Sequence, residues 1–137
     1  MFKRTTRAII VNIEGKILMG VRPGGSSGAG EVSLIGGKID HGESSREAVI
    51  REVEEELKLI FVPDSDLPYK VGDEYFNEGE RWPVDYFIGT AYGTLGLDPN
   101  EVAEVVLVGK EDLGREDLNI PGVHLEVLRE FFERDRE

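Results

Sequence analysis

The sequence predicts one domain of the α+β class, in which a mixed β-sheet is packed between helices. Strand-like segments both precede and follow one long helix, and a second helix closes the chain. Of the 137 residues, 39% are hydrophobic, which is enough for a conventional core. No linker, internal repeat or low-complexity segment interrupts residues 1–137, so we expect them to form a single domain.

The first predicted elements are a strand pair and a loop. Thr6 to Asn12 and Lys16 to Arg22 are rich in β-forming residues and are separated by Glu14-Gly15, which suits a hairpin. Arg22 to Glu31 contains four glycines in ten residues and has no apolar periodicity. It matches neither common phosphate-binding glycine motif, so we interpret it as a mobile surface loop. Val32 to Ile35 follows as a short apolar run.

A helix is predicted from about Ser45 to Lys58, because this segment holds good helix formers and no Gly or Pro. Ser44, with Glu47 three residues later, gives a capping box at its start. With residues placed at about 100° intervals, the apolar side chains form one stripe. Three carboxylates share another face: Glu52, Glu55 and Glu56.

The remaining elements are strands and a final helix. Extended segments are predicted at Ile60 to Val62, Tyr69 to Phe76, Val84 to Tyr92 and Val102 to Val108, with a turn at Asn77-Glu78-Gly79-Glu80. The final helix is predicted at roughly His124 to Arg134, with an apolar face made of Leu125, Leu128, Phe131 and Phe132.

Charge and composition exclude several functional classes. A formal net charge of -12 repels nucleic-acid backbones and anionic membranes unless cations intervene, so a phosphorylated ligand is expected to arrive with a metal. No apolar run reaches the roughly 18 residues of a membrane span, and the N-terminus resembles neither a signal peptide nor an anchor. The absence of cysteine excludes disulfides, thiolate metal sites and a cysteine nucleophile. We therefore expect a cytoplasmic protein without nucleic-acid or membrane partners.

The acidic face of the long helix has two interpretations. Glutamate-rich helices usually present a solvated surface. Here, however, Glu52, Glu55 and Glu56 lie toward the C-terminal half, where the helix dipole disfavours carboxylates. No Lys or Arg has the spacing to neutralise all three. A hard divalent cation such as Mg²⁺ would do so, since it binds a few carboxylates together with water and phosphate oxygens.

From Gly37 to Leu59 the chain resembles the signature of the Nudix hydrolases (MutT-like). That signature combines glycine, glutamate, arginine and aliphatic residues at fixed spacing, and the matching residues are Gly37, Glu43, Arg51, Glu52, Val53, Glu55, Glu56 and Leu59. One defined position departs, because Lys58 stands where the family has glycine. The order of the predicted elements also follows the family. The resemblance implies a Nudix-type α/β/α sandwich.

The resemblance further implies hydrolysis of a nucleoside diphosphate linked to another group, with Mg²⁺ or Mn²⁺ as cofactor. By the family pattern, the backbone carbonyl of Gly37 would hold the metal together with Glu52 and Glu56. Glu55 would be a further ligand or would orient water. Binding and catalysis would then share one acidic face.

Other roles implied by the resemblance lie around this face. Glu43 and Arg51 would form an ion pair that fixes the loop against the helix. Relatives often use a general base from later in the chain, for which Glu101 and Glu104 are the candidates; each is also explained as an ordinary surface glutamate. Lys58 must either adopt a left-handed conformation, at a cost of about 1 kcal/mol, or extend the helix.

Candidate substrate-binding residues are less constrained. Arg22 and Lys38 could contact phosphates, or could be solvated surface charges. Several aromatic residues could stack on a nucleobase, although core packing explains most of them: Tyr69, Tyr75, Phe76, Trp82 and Tyr86. Trp82, which follows a polar turn and precedes Pro83, is expected to be the most exposed.

The short chain suits a nucleoside triphosphate pyrophosphatase slightly better than an ADP-ribose hydrolase, while dinucleoside polyphosphates and nucleotide sugars remain alternatives. A non-catalytic nucleotide-sensing domain is a second class, but such a domain is expected to have lost metal-binding glutamates, and this chain keeps them. The oligomeric state is left open as monomer or homodimer.

Overall fold

The computed structural model describes residues 3–26, 28–76 and 79–134. Within them the strands are β1 (Thr5–Val11), β2 (Ile17–Val21), β3 (Val32–Ser33), β4 (Ile35–Lys38), β5 (Ile60–Pro63), β6 (Lys70–Phe76), β7 (Glu80–Tyr92) and β8 (Glu104–Val108). The helices are α1 (Ser45–Leu57) and α2 (Gly122–Arg134), with a 3₁₀ turn at Lys110–Asp112. Asn77 and Glu78 of the predicted turn lie outside the described residues.

The strands form one mixed sheet built around β1 and β7. β1 runs antiparallel to β2 and β4 and parallel to β7, with Ala8 opposite Phe87. β7 also pairs with β5 and β6, both antiparallel. The predicted hairpin is confirmed, with Ile10 opposite Leu18. The parallel pairing of β1 with β7 makes the sheet mixed, as predicted.

Each face of the sheet is covered by one helix. Alternation along β1 sends Ala8 and Ile10 into the core beneath α1, where they join Val49, Val53, Leu57 and Phe87. Ile9 points to the opposite face and packs in the core that includes α2, with Tyr86, Leu128 and Phe131. The predicted sheet between helices is therefore confirmed. In α2 the buried face includes His124 and Val127, whereas Leu125 is only half-buried.

The start of α1 agrees with the sequence prediction, and its end decides between the two alternatives for Lys58. The backbone N–H of Glu47 donates to Ser44 Oγ over 3.1 Å, and the Ser44 N–H donates to Glu47 Oε1 over 2.9 Å. Lys58 adopts the left-handed conformation, with φ 60° and ψ 25°, so the helix ends at Leu57. Its N–H donates to the carbonyl of Glu54 and closes the last turn.

A close approach of β4 to β1 determines where the loop before α1 leaves the sheet. Gly36 and Gly37, which the sequence placed after a short apolar run, are themselves part of β4 and lie opposite Arg7 and Thr6. A Cβ on Gly36 would collide with the carbonyl oxygen of Thr6. Only glycine allows this approach, which brings the end of β4 beside α1.

No helix in the described ranges has the length and apolar character that a membrane crossing requires.

We expect Lys58→Gly to raise the free energy of unfolding by about 1 kcal/mol, because glycine adopts a positive φ without the steric cost of a Cβ. Lys58→Ala is the matched control, since it shortens the side chain but keeps the Cβ. Urea denaturation of both variants measures the effect. A gain of the same size in Lys58→Ala would show that the lysine side chain, and not the backbone, is the source of strain.

Candidate active site

The acidic face of α1 opens into a cleft of about 460 Å³ between β4, α1 and the turn before β8. The cleft collects most of the residues singled out from the sequence: Arg22, Gly37, Lys38, Glu52, Glu55, Glu56 and Glu101. Asp40 and Asp98 add two further carboxylates, and Arg7 adds a cation from β1. The cleft is therefore lined by both carboxylates and cations.

The backbone of Gly37 lies directly against the carboxylate of Glu52. A Cβ at Gly37 would sit 2.6 Å from Glu52 Oε1, which is closer than a real side chain tolerates. Glycine at this position thus lets a main-chain segment of β4 approach the acidic face of α1. A peptide group and a carboxylate are held next to each other at the edge of the cleft.

Glu56 is the most deeply placed carboxyl group of the cleft. Its side chain is buried, and Oε2 has no hydrogen-bond partner among the described residues. Burial and the neighbouring Glu52 raise the pKa of Glu56 well above its ordinary value, and Arg7 only partly opposes this effect. Two carboxylates that lie side by side and are partly buried repel each other. A bound cation would supply the positive charge that offsets this repulsion.

Arg51 holds the acidic residues around the cleft in place. Its guanidinium makes two bonds to Glu43, of 2.7 and 3.0 Å, and donates to the carbonyl oxygen of Lys38 over 3.0 Å. It also lies 3.2 Å from Glu52 and 3.1 Å from Glu55. The Arg51 side chain thus reaches two of the three glutamates on the acidic face, Glu52 and Glu55. None of its contacts within the described structure is to Glu56.

The donor set around Glu56 fits a hard divalent cation that shares its ligands with substrate and water. In the described part of the chain, no three Asp, Glu or His side chains are arranged to hold a metal on their own. Two carboxylates, Glu52 and Glu56, meet beside the Gly37 backbone, while Glu55 is turned toward Arg51. Mg²⁺ suits such a partial set, because it keeps several waters and uses few protein carboxylates together with phosphate oxygens.

The two candidates for a general base occupy different places. Glu101 lines the cleft, in a turn whose Asp98 N–H donates to the carbonyl of Glu56 over 3.0 Å. The Glu101 N–H donates in turn to the carbonyl of Asp98 over 3.0 Å. Glu104 begins β8, is exposed, and does not line the cleft. The structure thus brings only Glu101 to the acidic face.

The expectation that Trp82 is exposed is wrong. The side chain is buried, because β7 begins at Glu80 and places Trp82 inside a paired strand opposite Glu74. Its ring lies 5.1 Å from Lys38 Nζ and 5.2 Å from Lys3 Nζ. Trp82 therefore supports a cleft residue, Lys38, through a cation–π contact and does not itself line the cleft.

Among the other aromatic candidates, Tyr86 is fully buried and its hydroxyl donates to Glu74. Tyr69 is half-buried, with Arg134 over its ring. The side chains of Tyr75 and Phe76 lie outside the described part of the structure.

Sequence reasoning missed Arg7, which lines the cleft from within β1. The available signal was a charged residue in the middle of an otherwise apolar and β-branched strand, TTRAIIV. It also missed the buried partner of Arg7, Glu74, and the contact of Glu74 with His124. Arg7 and Glu74 are 67 positions apart in the sequence, and Glu74 and His124 are 50 apart. No local sequence pattern predicts such contacts.

Comparisons with known proteins agree on one family. The NUDIX domain family model matches residues 1–131. A CTP pyrophosphohydrolase of Escherichia coli (strain K12) is 46% identical over 52 residues, a match that covers 38% of this chain and 38% of that protein. The matched segment is thus well under two thirds of the relative's length.

Solved structures are similar over nearly the whole chain. A MutT NUDIX hydrolase from Burkholderia pseudomallei has a TM-score of 0.77 and 25% identity, covering 94% of this chain and 97% of that one. A MutT protein from Methanosarcina mazei Go1 has a TM-score of 0.73 and 27% identity, with coverages of 99% and 96%.

We expect Arg51→Met to lower the free energy of unfolding at neutral pH by about 2 kcal/mol, since hydrogen bonds to charged groups contribute about 1.5–3 kcal/mol. The bond to Arg51 lowers the pKa of Glu43 below its ordinary 4.5. Its stabilising effect is therefore complete above pH 4.5 and is lost as the pH falls through the lowered pKa. The stability gap between wild type and variant should narrow on acidification.

The matched control is Arg46→Met, on the same helix, because its partner Asp66 is almost fully exposed and such pairs contribute about 0–1 kcal/mol. Denaturation curves recorded at several pH values measure both variants. A gap for Arg51→Met that stays constant down to acid pH would contradict the ion pair as its source.

Proposed function

Because this chain belongs to the NUDIX family of hydrolases, we propose that it is a divalent-metal-dependent pyrophosphohydrolase of nucleoside triphosphates. Two observations support the triphosphate substrate. The E. coli relative is a CTP pyrophosphohydrolase by name, although the similarity covers 38% of it. The cleft is also lined by the cations Arg22 and Lys38 together with the acidic face, as an anionic polyphosphate bridged by metal requires.

The observation that carries the proposal is the environment of Glu56. Oε2 is buried without a hydrogen-bond partner in the described structure, beside Glu52 and at the floor of the cleft. A buried carboxylate without a partner costs free energy unless a cation or proton compensates it. Because Glu56 lines the cleft together with Arg22 and Lys38, a cation held there would lie in the same cleft as the bound phosphates.

On this proposal Glu52, Glu56 and the carbonyl oxygen of Gly37 would hold Mg²⁺, with Mn²⁺ as a substitute, and Glu55 would be a further ligand or would orient water. When bound, the metal neutralises charge on the phosphoryl oxygens and makes its water more acidic. To take this role Glu55 would have to leave its contact with Arg51, while Arg51 could keep its two bonds to Glu43.

The chain's other groups position the substrate and move the proton. Arg22 and Lys38 bind phosphate oxygens, and the cation–π contact with Trp82 fixes the Lys38 ammonium group at the rim of the cleft. Glu101 accepts a proton from the attacking water as its oxygen bonds to phosphorus and the anhydride P–O bond breaks. The leaving phosphate oxygen departs with the bonding electron pair.

ADP-ribose, dinucleoside polyphosphates and nucleotide sugars contain the same anhydride and are the alternative substrates. Incubation with Mg²⁺ and a panel of these compounds and nucleoside triphosphates, with products separated by chromatography, tests the proposal. We expect a nucleoside monophosphate and pyrophosphate from a triphosphate. Faster turnover of ADP-ribose or a nucleotide sugar would overturn the substrate class.

We expect Glu56→Gln to lower kcat by more than about a hundredfold, because even the loss of a hydrogen-bond partner of a metal ligand costs 10–100-fold. Glu54→Gln is the matched control, since Glu54 is on the same helix, is exposed and does not line the cleft. Steady-state kinetics over a range of Mg²⁺ concentrations, with melting curves to verify folding, measure both variants. Comparable kcat values in the two variants would remove Glu56 from the metal site.

We further expect Glu101→Gln to lower kcat by about 10²- to 10⁴-fold, the usual contribution of a general base, with little change in Mg²⁺ requirement. Glu104→Gln should keep most of the activity, because Glu104 is exposed outside the cleft. The pH profile of kcat distinguishes a general base from an ordinary surface glutamate. In the wild type kcat should fall at low pH as the base becomes protonated, and this fall should be absent in the variant that lacks the base. The opposite order of effects would assign the base to Glu104.

A further inference from the structure

The guanidinium of Arg7 is fixed at the wall of the cleft by a buried carboxylate. Arg7 lies in β1 opposite Gly36, one position from the Thr6–Gly37 pair, and its side chain is 15% exposed. Nε and one terminal nitrogen donate to the two oxygens of Glu74, over 3.2 and 3.1 Å. The other terminal nitrogen donates to the carbonyl of Leu34 over 3.0 Å. The ring of contacts holds the guanidinium plane in one orientation.

Arg7 keeps donors that these contacts do not use. A guanidinium carries one N–H on Nε and two N–H groups on each terminal nitrogen. The Nε N–H and one N–H of each terminal nitrogen donate to Glu74 and Leu34. One N–H on each terminal nitrogen is therefore left over. Because Arg7 lines the cleft, these neighbouring donors are available to a bound molecule. Two donors on adjacent nitrogens match two adjacent acceptor atoms.

Glu74 is itself fixed by two further side chains. Its Oε2 accepts from the Tyr86 hydroxyl over 3.2 Å and lies 3.0 Å from His124 Nε2. His124 Nδ1 accepts the N–H of Leu34, so Nε2 carries the proton and donates to Glu74. Burial opposes ionisation of Glu74, yet Arg7 and His124 lower its pKa to about 2. The carboxylate is a permanent, immobile partner for Arg7.

The full charge of Glu74 makes Arg7 a poor phosphate anchor. The pair is close to electrically neutral, and a phosphate placed on Arg7 would lie near the Glu74 carboxylate and be repelled by it. Arg22 and Lys38 line the same cleft and remain the candidates for phosphate binding. The contact with Glu74 instead fixes the plane of the Arg7 guanidinium. Its two remaining donors therefore point in fixed directions, which suits a pair of neutral acceptor atoms.

We propose that Arg7 is a specificity-determining residue that reads the nucleobase, with Glu74 as its positioning residue. The inference rests on the proposed nucleotide substrate. Two adjacent acceptors occur on cytosine, at O2 and N3, and on guanine, at O6 and N7. Arginine makes such bidentate contacts with guanine in protein–DNA complexes. Uracil and adenine offer no adjacent pair of acceptors, so the cleft discriminates against them.

The test compares kcat/KM for CTP, GTP, UTP and ATP in the wild type and in Arg7→Lys. Lysine keeps the charge opposite Glu74 but lacks the planar fork. We expect the wild type to favour CTP or GTP over UTP and ATP, and the variant to lose about tenfold of that preference, chiefly through KM. The CTP and GTP arms show which base is read. Glu74→Gln should weaken the same preference.

Arg4→Lys is the matched control, because Arg4 also donates to a carboxylate, Asp85, over 2.9 Å but does not line the cleft. It should leave the base preference unchanged. Equal losses on all four triphosphates in Arg7→Lys would overturn the inference and assign Arg7 to phosphate binding. A wild type that treats the four bases alike would also overturn it.

Calorimetry with CMP, GMP, UMP and AMP on the wild-type protein separates this inference from the proposed reaction. A preference for CMP or GMP supports the role of Arg7 even if triphosphates are not the preferred substrates. It also provides a result if Arg7→Lys does not fold. Equal affinity for the four monophosphates would overturn the inference while leaving the proposed hydrolase activity intact.

Discussion

The site depends on one steric constraint, the absence of side chains at the end of β4. Gly36 lies so close to β1 that a Cβ would strike the carbonyl of Thr6, and Gly37 lies so close to α1 that a Cβ would strike Glu52. The sheet and the helix can therefore meet through backbone at this edge. A larger residue would separate α1 from β4 and move the carboxylates away from the backbone of Gly37.

The charges around this edge follow from that approach. Once α1 is held close, Glu52 and Glu56 are forced together and partly buried, and Arg51 can offset only the outer part of the acidic cluster. The negative charge that Arg51 does not offset is concentrated at Glu56. Electrostatic strain of this kind lowers the stability of the protein, and the cation proposed for this site would relieve it.

Features that depend on residues close together in the sequence could be predicted, whereas features that depend on distant residues could not. The capping box at Ser44, the hairpin and the shared face of Glu52, Glu55 and Glu56 depend on residues near each other in sequence, and each is present in the structure. Trp82 was misplaced because its burial depends on where β7 begins and on pairing with β6. Arg7 was missed because the orientation of its side chain depends on Glu74, which lies next to it only in the folded sheet.

The hydrogen-bond network around Glu74 joins parts of the chain that are far apart. Glu74 contacts Arg7 from β1, Tyr86 from β7 and His124 from α2. Leu34, from the segment before β4, bonds to both Arg7 and His124. Such a set cannot exist in a partly folded chain, since removing any one segment leaves a buried charge or donor without its partner. α1 can form its acidic face from local sequence alone, but the orientation of Arg7 requires every layer to be assembled. Nascent or damaged molecules would thus carry the carboxylates without the arginine geometry, so the selectivity proposed for Arg7 would require a completed fold.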